Sequence, residues 1–173
     1  MHTLVLGGAR SGKSHYAEQL AQRSRNEVVY IATAAAGDGE MSERIRQHRL
    51  SRPVDWLTIE EPVALNTVLQ EQSAADKVVL VDCLTLWVTN LLCSEDTDLF
   101  EREITALLNQ VNELPGEVIF VSNEVGLGVV PMGELSRRFV DEAGRLHQRL
   151  AAKVENVIFM VAGLPMAMKG ELQ

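Results

Sequence analysis

The sequence predicts an α/β fold, a mostly parallel sheet with helices on both faces. Three observations predict it. Short runs rich in Val and Ile recur along the chain, and VVLVD at 78–82 and VIFVS at 118–122 are apolar without interruption. Such runs suit strands buried on both faces of a sheet. Segments with helical apolar spacing lie between them, and strands alternating with helices require βαβ crossovers. A glycine-rich turn also joins the first strand directly to a helix.

Taken in order, Thr3–Leu6 reads as the first strand, ending in the turn. A helix follows over Lys13–Arg23, with Ala17, Leu20 and Ala21 at helical spacing. Val28–Ala32 is the second strand, rich in β-branched and aromatic residues. AAAGDGE is a loop. Met41, Ile45 and His48 fall at i, i+4 and i+7, so a helix there puts them on one face. Pro53 disfavours helix at Arg52 and ends that element. Trp56–Ile59 reads as a short strand, and Pro62 suits the first turn of a helix running to about Gln72. After the 78–82 strand, Leu99–Leu114 is an amphipathic helix with Leu107, Leu108 and Val111 inward and Pro115-Gly116 past its end. The 118–122 strand, a long helix over Glu134–Lys153 and a last strand over 157–163 complete the chain. No repeat, linker or low-complexity tract interrupts it, so residues 1–173 are expected to form a single domain.

Composition narrows the function classes. The formal net charge is −8, which argues against general binding to nucleic acid or anionic membrane. No apolar run approaches the length of a bilayer-spanning helix. The N-terminal MHTLVLGGA has no basic n-region and is not expected to be a secretory signal. Cys83 and Cys93 are too few for a disulfide framework or a metal site, and they are expected to be buried structural thiols in a reducing cytoplasm.

GGARSGKS, residues 7 to 14, fits the phosphate-loop pattern G-x-x-x-x-G-K-S. Gly7, Gly8, Ala9, Arg10, Ser11 and Gly12 form the loop, in which Gly7 and Gly12 let backbone N–H groups turn inward around phosphate oxygens. Lys13 reaches the β- and γ-phosphates, and the Ser14 hydroxyl is a Mg²⁺ ligand. The positive end of the following helix adds to the site. The chemistry needs a second carboxylate for the metal, and Asp82 at the end of a buried strand is the natural candidate. Glu124, after VIFVSN, is the second. Parallel sheets bind ligands outside the carboxyl ends of their strands, which would gather Gly7, Asp82 and Asn123-Glu124 at one edge.

RIRQHRLSRP, residues 44 to 53, concentrates positive charge in an acidic chain. His48 has three readings there: a solvated helix histidine, a phosphate contact, or a nucleophile. Arginines suit bidentate recognition of phosphate. Their charge also disfavours imidazolium and keeps the ring neutral and nucleophilic. His2, His15 and His147 lack metal-ligand spacing, and His147 on the long helix reads as structural or interfacial.

Several segments together go beyond a generic phosphate loop. GGARSGKS, YIATA at 30–34, RIRQHRLSRP, WLTIEEP, VDCLTLWVTNLL at 81–92, VSNEVGLGVVP at 121–131, RRFVDEAGRLHQRLA at 137–151 and VAGLP follow in that order. In this order the chain resembles the bifunctional adenosylcobinamide kinase / adenosylcobinamide-phosphate guanylyltransferases over essentially its whole length. The resemblance implies a RecA-like P-loop NTPase fold, a cytoplasmic enzyme and a homo-oligomer, typically a trimer. It implies phosphorylation of adenosylcobinamide by a nucleoside triphosphate, GTP or ATP, with Mg²⁺. Transfer of GMP from GTP to adenosylcobinamide phosphate then releases pyrophosphate. It makes His48, in H-x-x-x-R-P, the guanylylated residue, beside Lys13 as a catalytic group. It maps nucleotide contacts onto Gly7–Ser14, Ala32, Thr33, Ala34, Arg49, Leu50, Ser51, Arg52, Glu60 and Asp82. The corrinoid-binding residues, the basis of guanine recognition and the sharing of one nucleotide site by both reactions are not legible in the sequence.

Overall fold

The computed structural model of the chain describes residues 1–34, 53 and 55–172. Strands β1 (His2–Gly7), β2 (Glu27–Ala32), β3 (Leu57–Glu60), β4 (Lys77–Asp82), β5 (Glu117–Asn123), β6 (Asn156–Val161) and β7 (Leu164–Lys169) form one seven-stranded sheet in the order β3-β2-β4-β5-β1-β6-β7. Every neighbouring pair is parallel except β6 and β7. The helices are α1 (Lys13–Arg23), α2 (Leu65–Gln72), α3 (Leu84–Leu92), α4 (Leu99–Gln110) and α5 (Glu134–Lys153).

Alternation along each central strand builds two cores. Leu4, Val29, Ile31, Val79, Val81, Val118 and Phe120 face one side, where they pack with Leu69 of α2, Trp87 of α3, Leu107 of α4 and Leu146 of α5. Val5, Val28, Tyr30, Val78, Leu80, Ile119 and Val121 face the other side and pack on Tyr16, Ala17 and Leu20 of α1. Side chains of a strand alternate faces, so a strand covered on both sides must be apolar at every position. That requirement is why VVLVD and VIFVS were readable as central strands.

The structure departs from the sequence expectations at particular places. The helix expected from Pro62 starts at Leu65. Trp87 Nε1 donates to the Val63 carbonyl at 2.8 Å, and Asn90 Nδ2 donates to the Pro62 carbonyl at 2.9 Å. Glu61 Oε1 accepts the N–H groups of Val63 and Ala64, both at 2.8 Å. These side chains hold Pro62–Ala64 as a turn. The helix expected to reach Leu114 ends at Gln110, and a single 3-10 turn over Val111–Glu113 leads into Pro115. The sequence reading assigned no element to 83–92, where α3 lies with Leu84, Trp87, Val88 and Leu91 buried.

The strand expected at 157–163 ends at Val161 and is not the last. Ala162 and Gly163, both at positive φ, turn the chain back into the antiparallel strand β7. Two-residue turns of this kind match the twist of a hairpin. Pro165 weakened the strand signal in LPMAMK, but β7 lies at the edge of the sheet, where proline is tolerated. The helix expected around Met41, Ile45 and His48 lies outside the described residues.

Candidate active site

The sheet gathers the expected residues at its carboxyl edge. β1 ends at Gly7, β2 at Ala32, β3 at Glu60, β4 at Asp82 and β5 at Asn123. Ala32 pairs with both Glu60 and Asp82, and Gly7 pairs with Asn123. The Glu124 N–H donates to the Gly7 carbonyl at 3.0 Å, which ties the end of β5 to the start of the loop. His48, Arg49, Leu50, Ser51 and Arg52 lie outside the described residues.

The loop has the form an anion requires. A Cβ on Gly7 would lie 2.5 Å from Ser11 Oγ and 2.7 Å from the Met160 carbonyl, so no side chain fits there. Gly12 has φ 93°, a conformation that glycine reaches without strain. Ala9 and Arg10 are exposed, whereas Ser11 and Lys13 are buried. The Ser11 hydroxyl is buried with no hydrogen-bond partner in the protein. The start of α1 has neither a side-chain cap nor an acid in its first turn. A helix N-terminus of that kind offers N–H groups and a positive dipole to phosphate. An unsatisfied donor, a bare helix start and a buried cation fit a polyphosphate.

Lys13 Nζ donates to the Gly8 carbonyl at 3.0 Å. Burial pushes its pKa below the usual lysine value, and the nearby Asp82 carboxylate opposes that shift. Asp82 accepts the Tyr30 hydroxyl at 2.8 Å. Tyr30 was not among the expected site residues; its ring lies in the core below α1, and only its hydroxyl reaches the edge. Burial pushes the Cys83 thiol up to about 11, so it is neither a thiolate nor a nucleophile at neutral pH; Cys93, also expected to be buried, is exposed at the end of α3.

Thr33 sits in the YIATA segment but is fully buried. Its hydroxyl donates to the Cys83 carbonyl at 2.6 Å and accepts the Cys83 N–H at 2.9 Å. Its own carbonyl accepts from Asn90 Nδ2 at 2.8 Å. Thr33 and Asn90 therefore lock the ends of β2 and β4 to α3. We expect Thr33→Val to lower unfolding free energy by about 1–3 kcal/mol, because it leaves a buried N–H without a partner. Thr33→Ser should restore most of it. Urea unfolding of the three proteins checks this.

A polar chain missed by the sequence reading crosses the other face of the same edge. Thr85 Oγ1 accepts the Asn123 N–H at 2.7 Å and lies 3.2 Å from Ser122 Oγ. Ser122 Oγ lies 2.8 Å from His147 Nε2, and His147 Nδ1 lies 3.9 Å from Glu124 Oε2. Thr85, Ser122 and His147 are all buried. Burial lowers the His147 pKa below the usual imidazole value, with Glu124 partly opposing, so the ring is neutral at physiological pH. Of the other histidines, His2 Nδ1 accepts the Val118 N–H at 3.2 Å, and His15 pairs with Gln19 on the surface.

Residues 3–168 match the family model described as cobinamide kinase / cobinamide phosphate guanyltransferase. The chain is 60% identical over 171 residues to the bifunctional adenosylcobalamin biosynthesis protein CobP of Pseudomonas aeruginosa, covering 99% of each chain. It is 40% identical over 182 residues to the bifunctional adenosylcobalamin biosynthesis protein CobU of Escherichia coli, covering 98% of this chain and 100% of that one. Among solved structures, the RadB recombinase is similar in fold, with a TM-score of 0.50 at 15% identity, covering 91% of this chain and 73% of that one.

Proposed function

The chain belongs to the cobinamide kinase / cobinamide phosphate guanyltransferase family, and from that premise we propose how its residues divide the two reactions. The observation that carries the proposal is the phosphate loop at the carboxyl edge of the sheet, with buried Lys13 electrostatically coupled to Asp82.

In the kinase reaction the loop, Gly7–Ser14, holds the triphosphate of GTP or ATP, and Lys13 neutralises charge on the β- and γ-phosphates. The Ser14 hydroxyl and the Asp82 carboxylate would hold Mg²⁺, which supplies further charge neutralisation on the phosphates. Ala32 and Ala34 border the nucleotide at the end of β2, with Thr33 behind them as support, and Glu60 flanks it from β3.

In the second reaction neutral His48 attacks the α-phosphorus of GTP. The N–P bond forms, the bond to the β-phosphate oxygen breaks, pyrophosphate leaves and the ring proton passes to solvent. A phosphate oxygen of adenosylcobinamide phosphate then displaces His48, giving adenosylcobinamide-GDP. Arg49 and Arg52 take the departing pyrophosphate, with Leu50 and Ser51 completing that segment.

The proposal includes a single domain, a homotrimer and a cytoplasmic site of action. Exposed Leu127, Val129, Met132, Leu164 and Met168 support self-association. Use of nucleoside triphosphates supports the location, and among the described residues no helix is long and apolar enough to cross a membrane.

Incubation with GTP labelled at the α-phosphate tests the covalent step. The label is expected to stay on the denatured protein, to survive base and to be released by acid, as a phosphoramidate is. Label that never becomes covalent, while adenosylcobinamide-GDP still forms, would remove the intermediate from the reading.

A further inference from the structure

We propose that Glu124 is the base that takes the proton from the acceptor hydroxyl in the kinase reaction, and that His147 is its positioning residue. The inference rests on the reading above, in which the triphosphate lies on the loop at this edge.

Hydrogen bonds run from Thr85 through Ser122 to His147, and the Glu124 carboxylate, in electrostatic reach of the ring, sets their sense. A carboxylate offers only acceptors, so His147 presents Nδ1–H toward Glu124. Nε2 is then an acceptor, and the Ser122 hydroxyl donates to it over 2.8 Å. The Thr85 hydroxyl donates in turn to Ser122, while its lone pair takes the Asn123 N–H. Each hydroxyl donates once and accepts once. The Nε2 side of the ring is thus held by the buried Ser122 and Thr85 hydroxyls.

Glu124 itself is held at two points. Its Oε1 accepts the Gly126 N–H at 2.5 Å, and its Oε2 faces His147 at 3.9 Å. That second distance exceeds a hydrogen bond but lies within electrostatic reach. The side chain is 22% exposed, and the Glu124 N–H is bonded to the Gly7 carbonyl, so the residue stands beside the loop and is open to solvent. Other acids at the edge have different partners: Asp82 sits with Tyr30 and Lys13, and Glu61 closes the turn before α2.

The two reactions differ in what they ask of a base. The kinase acceptor is an alcohol, whose proton must leave as its oxygen bonds the γ-phosphorus. The bond between that phosphorus and the bridging oxygen breaks, the electron pair leaves with the nucleoside diphosphate, and the proton passes to Glu124. The guanylyl acceptor is a phosphate oxygen, already anionic at neutral pH, and needs no base. Loss of Glu124 should therefore separate the reactions.

The test uses the full chain and measures kinase turnover with cobinamide and ATP, and pyrophosphate release with cobinamide phosphate and GTP. Glu124→Gln keeps the size and the Gly126 contact. It is expected to lower kinase kcat by roughly 100-fold or more, with KM little changed, and to lower guanylyl transfer far less. His147→Asn keeps a donor at the Nδ1 position, whereas His147→Gln keeps only the contact at the Nε2 position. The Asn variant is expected to retain more kinase turnover than the Gln variant. An equal fall of both reactions in Glu124→Gln, or an unimpaired kinase, would overturn the assignment of the base. Equal kinase rates in the two His147 variants would overturn the positioning role. Failure of the underlying reading shows differently, as kinase turnover that survives Lys13→Met in the phosphate loop.

Discussion

His48→Ala protein is expected to take up no covalent GMP and to lose guanylyl transfer, while still phosphorylating cobinamide. The expected loss is on the order of 10⁴-fold or more, as for removal of other covalent nucleophiles. On the proposed reading, positive neighbours would make a second positive charge costly, which would keep the ring neutral and its lone pair available. The same arginines would stabilise the pyrophosphate as it departs. Alanine removes the lone pair and leaves the arginines. The kinase reaction needs no attack by His48, since its nucleophile is the alcohol. Two readouts on one protein sample check the prediction: α-labelled GTP on the denatured chain, and γ-phosphoryl transfer to cobinamide. Retention of the α-label in His48→Ala protein would exclude His48 as the nucleophile. Simultaneous loss of kinase turnover would place His48 in the binding of the triphosphate instead.

Lys13→Met should abolish most kinase turnover without weakening the fold. Removal of one preorganised charge donor from a phosphoryl-transfer site costs on the order of 10²–10³ in kcat. The effect on stability runs the other way from intuition about a buried charge. Burial lowers the Lys13 pKa, which means the cation is held there against its own desolvation. Methionine fills the same space without that cost, so the melting temperature is expected to hold or rise. Thermal unfolding beside steady-state kinetics checks both parts. The guanylyl-transfer rate of the same variant reports on the nucleotide site: a parallel fall means that one triphosphate site serves both reactions, and an intact rate means two.

The parts of the fold that were legible share a physical cause. In VVLVD and VIFVS every position must be apolar because both faces are covered, and composition alone reveals that. The Lys13–Arg23 and Glu134–Lys153 helices appear with the bounds expected from their apolar spacing. The α3 helix went unassigned although Leu84, Trp87, Val88 and Leu91 have helical spacing. It is nine residues long, with Leu86 and Leu92 outside that spacing, and a short apolar run does not separate helix from strand by composition. In the 62–64 turn, Glu61 gives local bonds, but those of Trp87 and Asn90 come from more than twenty residues further along the chain. No local pattern carries that information.

The candidate site divides along the same line. The sequence by itself determined the phosphate loop, because a backbone that must cradle phosphate needs glycines, a lysine and a serine within eight successive residues. It determined Asp82 as the acid at a strand end, and it marked His48 by the charge around it. Only the tertiary structure decided that Thr33 is support, that Tyr30 reaches Asp82, and that Thr85, Ser122, His147 and Glu124 form one chain. Those groups meet because parallel strands bring their carboxyl ends to one edge while α3 and α5 pack across a single face. Register and packing set such distances, and neither is written in the residues nearby.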